Sequence, residues 1–394
     1  MSSPAPSIAK LAVEHLAIRE LRNLESAELE PAPRLNVITG DNGQGKTSVL
    51  EAIYLVATSR SFRTPKLGEI VRHGASVGSV RAVLSEGSGR VGRHAASEPG
   101  ATPDSLRREQ TLGIQNGRRT LRLEGEPPPS LGYYATRSPV VVFDPQQMTL
   151  STGPSAGRRT LLDRIALFAQ PVIGNHASRY RRALQARQAL LGPDFGRSAW
   201  PSSELDAFEE LLATHGAALT VARRQAAAEL ASETRAAFHA IGAPELELGL
   251  SFLPGGSDEP EQARRELRDR RPLDARRRRT GFGPHLDDLG LELGGHAIRA
   301  VGSQGQHRAV TLALKIAELR CIARSRQLEP ILLLDDVSSE LDPTRAEALF
   351  AYLGGTACQI FLTTTRHALI VAPSLQGAER RDFRVQAGRI TPLG

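Results

Sequence analysis

The sequence predicts an α/β fold: one sheet assembled from the two ends of the chain, with a mainly helical section inserted between them. Three observations predict it. The glycine-rich segment GDNGQGKT (40–47) stands between an apolar run, LNVIT (35–39), and a helically periodic stretch, TSVLEAIYLVATS (47–59). A second apolar run, ILLL, ends in Asp335 and Asp336, with Asp335 289 positions beyond Lys46. Between these two segments, apolar residues recur at three- and four-residue steps, the period of an amphipathic helix.

The elements follow in chain order. Residues 11–39 alternate and then run apolar, which reads as strands, the last one buried. Residues 68–123, rich in Val, Gly, Arg and Thr, read as short strands with a mobile loop in the polar stretch near 86–105. EGEPPPS (124–130) is a linker or turn, and PVVVF (139–143) is a buried strand. From Leu161 to about Ile241, Leu205, Phe208, Leu212, Leu219 and Ala222 keep helical spacing, while Pro171, Gly174 and Pro193 interrupt it. This section is too short for an extended coiled coil. PGGSDEP (254–260) is a loop, and ARRELRDRRPLDARRRR (263–279) is strongly basic. A helix from near Gln306, the strand ILLLDD, a helix from Pro343 and the strand CQIFLTTT (358–365) complete the pattern. The expected division is 1–150 and 280–394 as two halves of a head, with 151–279 as a helical arm.

Composition narrows the function. The 394 residues are 40% hydrophobic and 24% charged, as in a soluble globular protein. A net charge of +7 favours an anionic partner, nucleic acid first. The positive charge is nearly all arginine, since only Lys10, Lys46, Lys66 and Lys315 are lysines; a coding bias accounts for that ratio as well as phosphate recognition does. Cys321 and Cys358, the only cysteines, suggest neither a disulfide framework nor zinc, and a reducing cytosol fits them. The N-terminus has no signal-peptide-like apolar core, and no apolar run approaches the roughly 18 residues of a membrane span. A cytoplasmic protein without a membrane partner is expected.

Four motifs carry chemistry. In GDNGQGKT, glycines let backbone N–H groups turn inward around phosphates, and the following helix N-terminus adds its dipole. Gly40, Asp41, Asn42, Gly43, Gln44, Gly45, Lys46 and Thr47 form this cradle, with Lys46 directed to the outer phosphates of ATP and Thr47 to Mg2+. In ILLLDD, Asp335 would hold Mg2+, and Asp336 would orient or deprotonate the attacking water. GSQGQ (302–306) precedes a helix and is similar to the LSGGQ signature of ABC-type ATPases, with Ser303, Gly305 and Gln306 in matching places. SSELD (338–342) resembles their D-loop, with Ser339 and Asp342 as candidates.

In that order the motifs identify an ABC-type P-loop ATPase head of the SMC-like kind. The finer detail resembles the bacterial RecF family. The resemblance rests on NVITGDNGQGKTSVLEAIYLVATSRSFR (36–63), VVVFDPQQMTLSTGPSAGRRTLLD (140–163), TGFGPHLDDL (280–289) and LLLDDVSSELD (332–342), and spans nearly the whole chain. It implies a DNA-repair ATPase that dimerises with ATP and binds duplex DNA beside single-stranded gaps. It also implies help in loading RecA, together with RecR and RecO. GSQGQ and SSELD would then complete the nucleotide site of a second protomer. Gln146 or Gln147 would supply the Q-loop ligand, and Thr365 or His367 the γ-phosphate sensor.

Asp336 stands where most such heads carry glutamate; one methylene less implies slow hydrolysis. His285, Asp287 and Asp288 fit no common zinc spacing, so a structural hydrogen-bonding role is expected of them. Arg276, Arg277, Arg278 and Arg279 are candidate DNA contacts, followed by Arg60 and Arg63. Two other readings compete. With only about fifty residues after SSELD, an appended nuclease domain does not fit. GSQGQ and SSELD argue against a small-molecule P-loop kinase, which has no shared two-protomer site.

Overall fold

The structure, a computed structural model, describes residues 8–88, 106–144, 149–191, 202–241, 246–336, 343–365 and 379–393. Strands β1–β15 and helices α1–α11 are numbered in chain order. The chain divides into two compact units. The described residues of the first fall within Met1–Gln147, His239–Ala243 and Lys315–Gly394, and those of the second within Met148–Phe238 and Pro244–Leu314.

The first unit holds two sheets. One consists of β3 (Leu35–Thr39), β7 (Val140–Phe143), β12 (Ile331–Leu334), β13 (Ile360–Thr364), β14 (Arg380–Gln386) and β15 (Arg389–Leu393), in the order β15-β14-β3-β13-β12-β7. All neighbours are parallel except the β14–β15 hairpin. Its strands LNVIT, ILLL and IFLTT and the edge strand VVVF are buried throughout, as expected for parallel strands covered on both faces. The other sheet contains β1 (Ala9–Leu21), β2 (Leu24–Leu29), β4 (Val77–Ser88), β5 (Leu106–Gln115), β6 (Arg118–Leu123) and β11 (Leu328–Glu329). Here β4 and β5 span 12 and 10 residues, longer than the short strands expected from sequence. The reason is two-fold alternation: Val80, Ala82 and Leu84 are buried, while Arg81 is exposed on the other face.

Helix α1 (Lys46–Thr58) touches both sheets and is buried on nearly every side, so its apolar residues from Val49 to Ala57 are not confined to one stripe, and Glu51 among them is buried too. Two shorter helices of this unit, α2 (Leu131–Arg137) and α11 (Pro343–Gly354), begin at Ser130, whose side chain caps Tyr133 N, and at Pro343. The motifs GDNGQGKT and ILLLDD leave β3 and β12 at the C-terminal end of one sheet, with β13 between them, which is where open α/β sheets bind ligands.

The second unit is mainly helical: α3 (Thr149–Thr152), α4 (Ser155–Ala169), α5 (Ile173–Leu190), most of α6 (Ser202–Ile241), α7 (Pro260–Asp269), α8 (Arg271–Arg277), α9 (Ile298–Val301) and the start of α10 (Gln304–Arg326). A small sheet, β8 (Leu248–Leu253), β9 (Asp288–Leu293) and β10 (His296–Ala297), accompanies them. The helical section breaks between α4 and α5 at Pro171, as expected. The second boundary differs from the expected one. Residues 280–314 belong with the helical unit rather than the head. Strand β9 pairs with β8, and Asp287 and Asp288 are gripped by Arg223 of α6 and Arg158 of α4. The basic run 263–279 is largely helical.

Among the described residues, no helix is long and apolar enough to cross a membrane. Cys321 and Cys358 are both buried, and no disulfide joins them.

Candidate nucleotide-binding site

The loop after β3 is shaped by its glycines. Gly40 has φ +151 and lies so close to Val385 O that a Cβ would stand 2.3 Å from it. Gly45, the N-cap of α1, has φ +118 and abuts the Asn23 side chain. No side chain caps α1 and no acidic residue occupies its first turn, so its leading N–H groups and dipole face the loop uncompensated. Lys46 Nζ donates to Gly40 O (2.7 Å) and Asp41 O (2.9 Å), folding the side chain back over the loop. Burial pulls the lysine below its ordinary pKa, and the Asp336, Asp335 and Asp41 carboxylates pull it back up.

Asp335, at the end of β12, accepts Thr47 Oγ1 at 3.0 Å on both carboxylate oxygens. Burial raises its pKa; hydroxyls of Thr363 and Thr47 oppose the rise. Asp336 follows in a left-handed conformation, φ +49. A cavity of about 460 Å3 is bounded by Asn42, Gly43, Gly45, Lys46, Thr47, Asp335 and Asp336, with Arg22, Asn23, Ser48 and Arg63 completing the wall. It combines a cation, an open helix N-terminus and two carboxylates, the complement of a polyphosphate with its counter-cation. The Thr47 hydroxyl and the Asp335 carboxylate are hard oxygen donors already in contact, and they fit Mg2+.

The other expected residues are placed as follows. Ser303, Gly305 and Gln306 lie at the N-terminus of α10 in the second unit. Ser303 and Gln306 form a reciprocal capping box: Ser303 N donates to Gln306 Oε1 at 2.7 Å, and Gln306 N donates to Ser303 Oγ at 3.2 Å. Gln146, Gln147, Ser339, Asp342 and His367 lie outside the described residues. Thr365 is exposed just beyond β13. Arg63 borders the cavity, whereas Arg60 is exposed and is not part of its wall.

Arg276–Arg279 are exposed, and among the described residues none of their guanidinium groups has a hydrogen-bonding or ion-pair partner. Four of the neighbouring arginines differ: Arg264, Arg268, Arg270 and Arg271 pair with Glu210, Asp206, Glu266 and Glu209. His285 lies between Tyr180 Oη (2.7 Å) and Thr280 O (2.9 Å). With Asp287 and Asp288 both held by arginines, these three make no metal cluster, and none occurs among the described residues.

Several site residues escaped sequence reasoning. Asn23, in the β1–β2 turn, donates to Gly43 O (3.1 Å) and accepts from Ser48 Oγ (3.0 Å). Buried Glu51 of α1 accepts Arg22 through two bonds of 2.9 Å and Ser61 Oγ at 2.5 Å, fixing the segment that carries Arg63. Ala387 N, at the β14–β15 tip, donates to Gln44 Oε1 at 2.6 Å. Thr363 binds both aspartates. These contacts join residues far apart in the chain; no local spacing announces them.

Residues 12–374 match the model of the RecF/RecN/SMC N terminal domain. The DNA replication and repair protein RecF of Anaeromyxobacter sp. (strain Fw109-5) is 38% identical over 387 residues, covering 96% of this chain and 98% of the relative. The same protein of Geobacter sulfurreducens is 34% identical, covering 96% and 99%. Among solved structures, the recombination mediator protein RecF bound to ATP superposes with TM-score 0.84 at 26% identity, covering 98% of each chain. The Smc head domain of Pyrococcus furiosus shares the fold, with TM-score 0.54 at 14% identity. A family model spanning most of the chain and full-length relatives above 30% identity place the chain in the RecF family of SMC-like, ABC-type ATPases.

Proposed function

We propose that the protein is an ATP-gated DNA clamp of recombinational repair. It binds ATP with Mg2+, closes head to head on duplex DNA near single-stranded gaps, and opens on slow hydrolysis. The observation that supports this best is the cavity in which Lys46, the uncapped start of α1, Thr47 and the two aspartates meet. Lys46 exchanges its two carbonyl partners for phosphate oxygens, and the N–H groups at the start of α1 bind the same anion. Thr47 and Asp335 hold Mg2+, which when bound neutralises charge on the outer phosphates. Asp336 orients the attacking water or accepts its proton. Being one methylene shorter than glutamate, it makes turnover slow, about one per second or less; tens per second would contradict this.

The capped α10 N-terminus, with Ser303, Gly305 and Gln306, serves the nucleotide of a partner protomer, and Ser339 and Asp342 cross the seam. Gln146 or Gln147 supplies the Q-loop ligand, and Thr365 or His367 senses the γ-phosphate. Arg276–Arg279, exposed and without partners among the described residues, contact the DNA backbone. The name RecF and a relative described in the RecFOR pathway support cooperation with RecR and RecO in loading RecA. Sedimentation of wild type and Lys46→Arg, with and without ATP and duplex DNA, tests the reading. Wild type is expected to dimerise with ATP and the variant to stay monomeric; a wild type that never dimerises removes the clamp.

A further inference from the structure

Thr363, on the central strand β13, is wholly buried. Its neighbours Ile360, Phe361 and Leu362 are apolar, as a strand covered on both faces requires. A hydroxyl at such a position costs stability unless it is hydrogen-bonded. Both of its bonds go to the aspartate pair. Thr363 Oγ1 donates to Asp335 Oδ1 at 2.7 Å and accepts the backbone N–H of Asp336 at 2.9 Å. The first bond turns the Asp335 carboxylate, whose oxygens also meet Thr47. The second holds the main chain of Asp336 in its left-handed conformation, φ +49, which costs an L-residue about 1–2 kcal/mol and needs a compensating contact. One hydroxyl therefore sets both the carboxylate of the first aspartate and the backbone from which the second hangs.

We propose that Thr363 is a positioning residue for ATP hydrolysis. It orients Asp335 toward the Mg2+ ligand Thr47 and holds Asp336 so that its carboxylate faces the nucleotide cavity. The inference rests on the ATPase reading above. A merely structural threonine could be replaced by its isostere valine; a positioning threonine could be replaced only by serine, which keeps the hydroxyl.

The test compares Thr363→Val and Thr363→Ser with wild type. ATP affinity in EDTA, the Mg2+ concentration for half-maximal binding of a fluorescent ATP analogue, and ATP turnover are all measured. Thr363→Val should bind ATP in EDTA like wild type, because Lys46 and the helix N-terminus are intact. It should need about tenfold more Mg2+ and turn ATP over about ten- to a hundredfold more slowly, the range seen when a ligand's supporting partner is lost. Thr363→Ser should match wild type in all three. A valine variant with wild-type Mg2+ requirement and turnover overturns the inference. So does a serine variant as slow as the valine one, because the loss then traces to the methyl group. If Thr363→Val fails to fold, Thr363→Ser decides alone: wild-type behaviour supports the hydroxyl's role, and about a tenfold loss overturns it. A wild type that does not hydrolyse ATP overturns the ATPase reading itself, whereas a hydrolysing wild type matched by Thr363→Val overturns only the role of Thr363.

Discussion

Lys46 and Asp335 of the nucleotide cavity and the arginines in the core of the helical unit are all buried charges, and the two sets are held in opposite ways. In the helical unit each buried arginine is matched by carboxylates. Arg187, fully buried, donates to Glu209 (3.1 Å), Asp274 (2.8 Å), Thr280 Oγ1 (2.9 Å) and Leu267 O (2.9 Å). Arg223 pairs with Asp163 and Asp287, and Arg158 is bidentate to Asp288. In the cavity, among the described residues, Lys46 is held only by two backbone carbonyls, and Asp335 accepts only hydroxyls on its side chain. A charge neutralised by a buried opposite charge is committed to the fold. A charge resting on neutral dipoles keeps its field and is available to a ligand.

The comparison breaks most decisively at Arg187. Replacing it with alanine leaves Asp274 buried without a cation and Glu209 with Arg271 alone, and should lower stability by about 3 kcal/mol or more. Chemical denaturation monitored by circular dichroism reads this. A loss near 1 kcal/mol would mean that the network is no more committed than the cavity. The opposite outcome is expected for Lys46→Gln. Two hydrogen bonds from the ammonium to neutral carbonyls are lost, but so is the cost of burying its charge, so stability should change by about 1 kcal/mol or less, while ATP affinity collapses. A Lys46→Gln variant as unstable as Arg187→Ala would erase the distinction.

Which charges are committed was only partly legible in the sequence. GDNGQGKT and ILLLDD were legible because phosphate binding is local: a glycine loop between strand and helix, and carboxylates at a strand end. In the run 263–279, by contrast, all the arginines look alike. Arg264, Arg268 and Arg271 owe their partners to α6, where Asp206, Glu209 and Glu210 happen to face them. Of the three threonines in TTT the sequence singles out Thr365; only the register of β13 beside β12 selects Thr363. The boundary at Leu314 was hidden because strands β8 and β9 are short, and the ion pairs that bind β9 to the helices join residues 64 and 130 positions apart.

The exposed run sharpens the same contrast. Arg276 and Arg277 end α8, and Arg278 and Arg279 follow it with backbone N–H groups bonded to Ala275 O and Asp274 O. Asp274 is clamped by Arg187, so among the described residues the guanidinium groups are unpartnered while their base is fixed. Replacing all four with glutamine should leave the unfolding curve nearly unchanged and weaken duplex binding at low salt. The slope of log affinity against log salt should fall by up to about 0.9 per arginine. Binding with an unchanged slope would return the run to a solvated surface.

The smallest effect concerns a neutral buried group in the same unit. Burial holds His285 below the ordinary histidine pKa. Its environment also contains Arg159, Asp287 and Asp274, and its ring is fixed between Tyr180 Oη and Thr280 O. The sign follows from linkage. The unfolded chain binds a proton as pH falls through about 6.5, whereas the folded one does not until lower pH. The full contribution is therefore present above about pH 7 and is lost as pH falls, at no more than about 1.4 kcal/mol per unit for one histidine. The loss levels off once pH passes below the folded pKa. Asp287, raised by burial, acts in the opposite sense, so the informative quantity is the difference from a variant that lacks only the imidazole. Thermal unfolding of wild type and His285→Gln between pH 7.5 and 5.5 (about one unit either side of the ordinary histidine value) should show a steeper decline in wild type. Parallel curves would show that His285 is protonated in the fold, and that this unit tolerates an uncompensated charge just as the nucleotide cavity does.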